Sequence, residues 1–161
     1  MNGDRKVYAK DIVYTPEHVA KTIVKHFKPS GKCLDPCMGD GVFYNLLPVG
    51  SEWCEIAKGR DFFEWDTPVD WIVGNPPYTI FSEWLRHSMT LADNIVYLIP
   101  INKAFNSYPM MKDIANYGSV AEILVIQDGK KLKFNFGYAA GAVLFKRGYR
   151  DGTITSFLKE N

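Results

Sequence analysis

Two short stretches carry the residue types that chemistry would need. In "LDPCMGDG", residues 34–41, Asp35 and Pro36 come first and Gly39 and Gly41 follow. Glycines let a backbone turn sharply and approach a ligand closely. An anion in first place suits a positive ammonium group better than a phosphate. The loop also departs from the G-x-G-x-x-G pattern that seats pyrophosphate on a helix N-terminus. Glu55 lies twenty residues beyond Asp35, where an acid at the next strand end can accept hydrogen bonds from ribose hydroxyls. Alone, Gly-Asp-Gly is usually an ordinary tight turn. Taken together, Asp35, Gly39, Gly41 and Glu55 point to an adenosyl ligand without phosphates, a description that S-adenosylmethionine fits. The second stretch is "GNPPY", residues 74–78. Proline lacks a backbone donor and fixes its own φ, so Pro76 and Pro77 end a strand abruptly. A turn needs no more than that, which leaves Asn75 and Tyr78 to be explained.

The surrounding pattern supplies elements to position both stretches. Apolar residues at Val19, Ile23, Val24 and Phe27 predict a helix over 15–27, with Thr15 as N-cap and Pro16 in the first turn. Strands are predicted at 32–35, 52–56, 60–63, 70–74, 94–100, 120–127 and 139–146, and further helices at 42–47, 81–92 and 110–117. This alternation predicts an α/β fold: a mostly parallel seven-stranded sheet with helices on both faces. The last two strands are close enough to form a C-terminal antiparallel hairpin. One link is irregular, because only five residues separate Glu55 from Asp61, whereas a parallel crossover takes about a dozen or more. The reading preferred on sequence is a bare loop that has lost its helix; the alternative is that the second and third strands are misplaced.

A chain of 161 residues is expected to form one domain, 1–161, long enough for a core. Its composition, 47% hydrophobic and 23% charged, is that of a globular protein. No apolar run approaches a membrane span and "MNGDRKVYAKD" has no signal-like stretch, so a cytoplasmic protein is expected. Cys33, Cys37 and Cys54 match no zinc-ligand spacing and read as free, largely buried thiols, with no metal expected. The net charge of +1 says little about nucleic acid, but its distribution says more. Between Lys130 and Arg150 stand Lys130, Lys131, Lys133, Lys146, Arg147 and Arg150, with no acid among them. These residues either protect a hairpin edge or face a polyanion.

The order "YTP" (Tyr14, Thr15, Pro16), "LDPCMGDG", "RDFFEW" and "GNPPY" resembles the amino-methyltransferases of the class I S-adenosylmethionine-dependent family. It is most similar to the adenine-N6 DNA methyltransferases whose cofactor motifs precede the catalytic one. The match spans roughly residues 11–105 with good motifs and is architectural beyond them. The resemblance implies a Rossmann-like methyltransferase fold and S-adenosyl-L-methionine as cofactor. Asp35, Pro36 and the backbone at Gly39 and Gly41 would hold its methionine part, with Tyr14, Thr15 and Pro16 closing over it. Glu55 would take the ribose hydroxyls, Asp61 the adenine amino group, and Phe62 would pack on the purine as well as in the core. Asn75 and the Pro76 carbonyl, stiffened by Pro77, would grip the amine of a flipped adenine on which Tyr78 stacks. Phe134, Phe136 and Tyr138 either cover the sheet or offer a second aromatic, with Phe136 the preferred residue.

The implied substrate is DNA, with RNA adenine and a protein glutamine as alternatives, since each presents a planar nitrogen. A catalytically idle methyltransferase-fold subunit is the alternative from another class. The family usually carries a target-recognition region of domain size, and 161 residues leave no room for one beside the catalytic fold. Recognition is then expected from a short loop, a separate specificity subunit or a homo-oligomer. Such economy suits a phage or mobile-element enzyme.

Overall fold

The computed structural model describes residues 14–135 and 137–159; Phe136 lies outside them. Helix α1 (Glu17–Phe27) buries Val19, Ala20 and Ile23, the helical stripe its spacing predicts. Thr15 is not its cap. Pro16 takes that place, and its carbonyl accepts from the Val19 and Ala20 N–H groups. The chain continues through β1 (Cys33–Asp35), a 3₁₀ turn at Tyr44–Leu46, β2 (Glu52–Trp53) and two more such turns, Ile56–Lys58 and Phe62–Glu64. Then come β3 (Val69–Gly74), α2 (Phe81–Leu91), β4 (Ala92–Pro100), α3 (Tyr108–Tyr117), β5 (Gly118–Asp128), β6 (Ala139–Arg147) and β7 (Ile154–Phe157). No helix of the described residues is long and apolar enough to cross a membrane.

One seven-stranded sheet results, in the order β2-β1-β3-β4-β6-β5-β7. Strand β6 runs antiparallel to both β4 and β5, and every other pair is parallel. The period of two along β4 divides the core between two faces. Ile95, Tyr97 and Ile99 pack with Trp84 and Leu85 of α2 and Met110 and Ile114 of α3. Val96 and Leu98 pack with Val19, Ala20 and Ile23 of α1. Helices therefore cover both faces, as the alternation of elements predicts.

Two corrections apply to the strand inventory. Residues 60–63 form no strand. Glu55 and Arg60 share a single antiparallel bridge, and Asp61 then caps the 3₁₀ turn by accepting from the Phe63 N–H at 2.9 Å. That local bond offers the backbone an alternative to a ladder, and the connection is too short to reach a parallel position. The seventh strand is instead β7, an edge strand paired with β5. Its side chains are largely exposed, so no alternation of apolar and polar residues announces it.

The step from α3 into β5 turns on Gly118, where an added Cβ would stand 1.9 Å from the Lys146 carbonyl oxygen of β6. The obstacle is backbone, which no side-chain rotation can move. Gly118→Ala is expected to cost about 1–3 kcal/mol or more of stability, the range for overpacking, checked by urea unfolding against the parent chain. An unchanged midpoint would mean that the β5–β6 ladder is looser than its register indicates.

Candidate active site

The sheet order places the two chemical loops side by side. From β1 the chain passes to β2 on one side and returns to β3 on the other. The crevice beyond the carboxyl ends of β1 and β3 is therefore the switch point where α/β sheets bind ligands. Leu34 pairs with Ile72, so the loop after Asp35 and the turn after Gly74 leave the sheet together. The Cys37 thiol donates to the Asn75 carbonyl at 2.9 Å. Gly74 lets the two loops approach, since an added Cβ would sit 3.1 Å from Asp35 Oδ1 and 3.2 Å from Pro36 Cδ.

An open cleft lies over these ends. Tyr14, Thr15, Pro36, Gly39, Glu55, Asp61, Phe62, Asn75 and Pro77 all line it. Asp35, Gly41, Pro16, Pro76 and Tyr78 are not among its lining residues. Asp35 is 1% exposed and works from behind the wall. Its Oδ1 accepts from the Cys37 N–H at 3.2 Å and its Oδ2 from the Tyr44 N–H at 3.1 Å, tying down both ends of the loop. Burial pushes the Asp35 carboxyl up to about 7; the Cys37 and Tyr44 N–H groups oppose the shift, and the nearby Glu55 adds to it. Gly39 and Gly41 both take positive φ in this loop, the conformation glycine adopts at little cost.

Glu55 caps the turn that follows β2, accepting from the Ala57 N–H at 3.1 Å. Its other oxygen accepts from the Gly39 N–H at 2.8 Å, which joins the floor of the cleft to the glycine loop. A carboxylate has about four acceptor positions, so these two bonds leave capacity for hydroxyl donors. Phe62 is 2% exposed, its ring 4.6 Å from Trp84 and 4.7 Å from His87. It serves as core and cleft wall at once. Cys33, Cys37 and Cys54 are free thiols, the first and last buried. Burial raises the Cys37 thiol well above its ordinary value, which disfavours the nucleophilic thiolate.

Asn75 is held from two sides. Its amide nitrogen donates to Thr15 Oγ1 at 3.1 Å, and its Oδ1 accepts from the Tyr78 hydroxyl at 2.6 Å. The same hydroxyl lies 3.1 Å from the Leu98 carbonyl of β4. The bond to Asn75 explains why Thr15 is no helix cap. Tyr78 is 8% exposed; in this structure it orients Asn75 rather than presenting a ring face to the cleft.

Sequence reasoning missed the apolar walls at Met38, Val42, Phe43, Ile56 and Trp84, as well as Asp40. Nothing in a Trp at the start of a helix distinguishes a wall from a core position. The basic residues fall into two separate groups. Lys130, Lys131 and Lys133 lie between β5 and β6, at the end of the sheet that holds Asn75. Lys146 and Arg147 pair with Asn94 and Gly118 at the far end. There Arg147 bonds Asp93 at 2.7 Å and the Met89 and Ala92 carbonyls, and Arg150 donates to the Ala115 and Gly118 carbonyls. Those arginines fasten elements together. Phe134 is 5% exposed and packs in the core, whereas Tyr138 is 62% exposed.

No protein-family model matches the chain, and no curated protein matches it. Solved structures do. A protein of Listeria monocytogenes assigned as a class I S-adenosylmethionine-dependent methyltransferase aligns with a TM-score of 0.69 at 12% identity, over 96% of this chain and 67% of the other. A protein of Pyrococcus horikoshii assigned as an RNA methyltransferase aligns at 0.58 and 14% identity, over 81% and 82%. The methyltransferase subunit of a type I restriction–modification system from Streptococcus thermophilus aligns at 0.58 and 13% identity, over 88% of this chain and 47% of that one. Likeness at such low identity speaks for architecture: the chain has the Rossmann-like fold of class I methyltransferases, with its cleft at the fold's ligand-binding crevice.

Proposed function

We propose that the chain is an S-adenosylmethionine-dependent methyltransferase acting on the exocyclic N6 amine of adenine in DNA. One observation carries this reading: Asn75 lines the same cleft as Gly39, Glu55, Asp61 and Phe62. Cofactor and acceptor would thus meet across a single turn. The residues fit the cofactor. Glu55 offers acceptors to ribose hydroxyls, Asp61 an acceptor to a purine amine, Phe62 and Ile56 apolar walls, and the Gly39 loop a close backbone. When bound, S-adenosylmethionine supplies a methyl group activated by its sulfonium.

Everything else falls to this chain. An adenine amine is a weak nucleophile because its lone pair is delocalised into the ring. In this reading Asn75 Oδ1 accepts one of its hydrogens and favours the positive charge that grows on nitrogen during attack, while Pro76, off the cleft wall in this structure, stiffens the turn. The Thr15 and Tyr78 bonds fix the amide plane beforehand, so little reorganisation accompanies the reaction. The methyl donor held there would give up its methyl to the nitrogen with cleavage of its sulfur–carbon bond, and the proton lost from nitrogen would pass to water. A base held in a duplex would have to leave its stack to reach this position.

The glycine loop and the Asn75 turn beside it support an amine acceptor, and the order of the motifs, which resembles that of adenine-N6 DNA methyltransferases, supports DNA as its carrier. Labelled cofactor offered with DNA, RNA and release-factor protein in parallel tests the reading. Label is expected in DNA adenine, and label confined to RNA or protein overturns the DNA assignment.

A further inference from the structure

The rim beside the cleft has a composition and an exposure that the proposed methyl transfer does not account for. Strand β4 runs past β3: Gly74 pairs with Tyr97, and β4 continues to Pro100. Pro100 pairs with Ala140, and Ala139 pairs with Asp128 at the end of β5. The segment after β4 and the loop between β5 and β6 therefore leave the sheet at the end that carries Asn75, next to one another. Ile101 packs over β6 close to that end, its Cδ1 2.9 Å from where a Gly141 Cβ would stand. Across 101–112 and 129–138 there are five lysines and no acid. Within the same two segments Phe105 is 43% exposed, Tyr108 80% and Tyr138 62%.

Large aromatics left in water beside lysines are poor economy for a plain surface, because each forgoes burial worth about 1.5–3 kcal/mol for a large apolar side chain. Lysines alone would serve a duplex, whose bases are stacked away. Exposed rings beside lysines suit unpaired bases, each of which has a face to stack while its phosphate meets an ammonium.

The geometry points to this rim as a platform for single-stranded nucleic acid, with Phe105, Tyr108 and Tyr138 stacking bases and Lys103, Lys130 and Lys131 meeting phosphates. The inference deepens the proposed function by naming the form in which substrate arrives: unpaired, with its target adenine passing over the rim to Asn75. No base then has to be pulled from a duplex.

The test is fluorescence anisotropy without cofactor, using a labelled mixed-sequence strand of about twenty nucleotides and a hairpin duplex of equal charge. The single strand is expected to bind at least about tenfold tighter. Tyr108→Ala and Phe105→Ala are each expected to weaken it by about tenfold without changing its salt dependence. Lys130→Gln is expected to lower the slope of log affinity on log salt by about 0.7, while Lys146→Gln, at the far end of the sheet, changes neither. All four side chains are exposed, and unchanged circular dichroism establishes that the variants fold. Equal or tighter binding of the duplex, or ring truncations that leave affinity within twofold, overturns the platform. Binding with this pattern in a chain that labels no DNA upholds the platform and sinks the methylation assignment, so the two failures are distinguishable.

Discussion

Asn75→Ala is expected to lower methyl transfer by about a hundredfold to a thousandfold, the loss that follows removal of one aimed hydrogen-bond partner. Affinity for S-adenosylmethionine should stay within about twofold, because the truncation leaves Glu55, Asp61 and the Gly39 loop, the groups proposed to hold the cofactor, unaltered. The truncation removes little volume from a residue that is only half-buried, so the fold should survive. Two neighbours grade the effect. Thr15→Val keeps the shape of Thr15 and deletes the acceptor for Asn75 Nδ2. One lost neutral hydrogen bond of about 0.5–1.5 kcal/mol corresponds to a turnover loss of roughly three- to tenfold. Thr15→Ser restores the acceptor and should recover most of that loss. Initial-rate kinetics with labelled cofactor and calorimetric cofactor titration separate the two ends of the cleft. Should Asn75→Ala retain more than a tenth of parental turnover, the turn does not grip the reacting amine.

What could be read from the sequence follows from how locally each feature is encoded. The stripe Val19, Ile23 and Val24 specifies α1 because neighbours on a helix face are only three or four residues apart. The two glycines of the acid loop and the two prolines after Gly74 specify turns for the same reason, and the strands they end bring the turns together. Residues 60–63 misled because "RDFF" has the composition of a strand, while its conformation was decided by Asp61 bonding its own backbone. Strand β7 was invisible because its stability comes from main-chain pairing to β5 and not from a buried face. Lys146 and Arg147 stand near Lys130 in sequence, yet β6 is nine residues long and carries them roughly 25 Å along the sheet at about 3.4 Å per residue. Tyr78 shows a further limit: that its hydroxyl would turn to Asn75 depends on Leu98, twenty residues on and one strand over. Pairings of that kind arise from topology, which periodicity does not reveal.

Asp35 gives the second large expected effect, and it is set by pH. Asp35→Ala would leave the Cys37 and Tyr44 N–H groups without their acceptor in a buried place, at about 1–3 kcal/mol each. With the glycine loop untethered, cofactor affinity is expected to fall on the order of a hundredfold, while an Asn75→Ala chain binds normally. The folded protein holds the Asp35 proton to about pH 7, against 3.8 for an ordinary aspartate. The stability this group contributes is therefore complete below pH 3.8 and is lost as pH rises to about 7, on the order of 4 kcal/mol across the window. A cationic ligand in the cleft favours the charged carboxylate, and so do the two N–H donors when the loop is drawn tight around it. Binding then expels a proton, and cofactor affinity should climb as pH passes through about 7 and level off above it. Asp35→Asn keeps one acceptor oxygen and cannot titrate, so its affinity should be weak and flat over the same range. Calorimetry in buffers of different ionisation enthalpy counts the proton directly: release near pH 7 in the parent chain and none in Asp35→Asn. A parent chain whose affinity is level across that range, with no proton exchanged, would mean that Asp35 is already ionised in the empty cleft and that the loop it tethers does not respond to the ligand's charge.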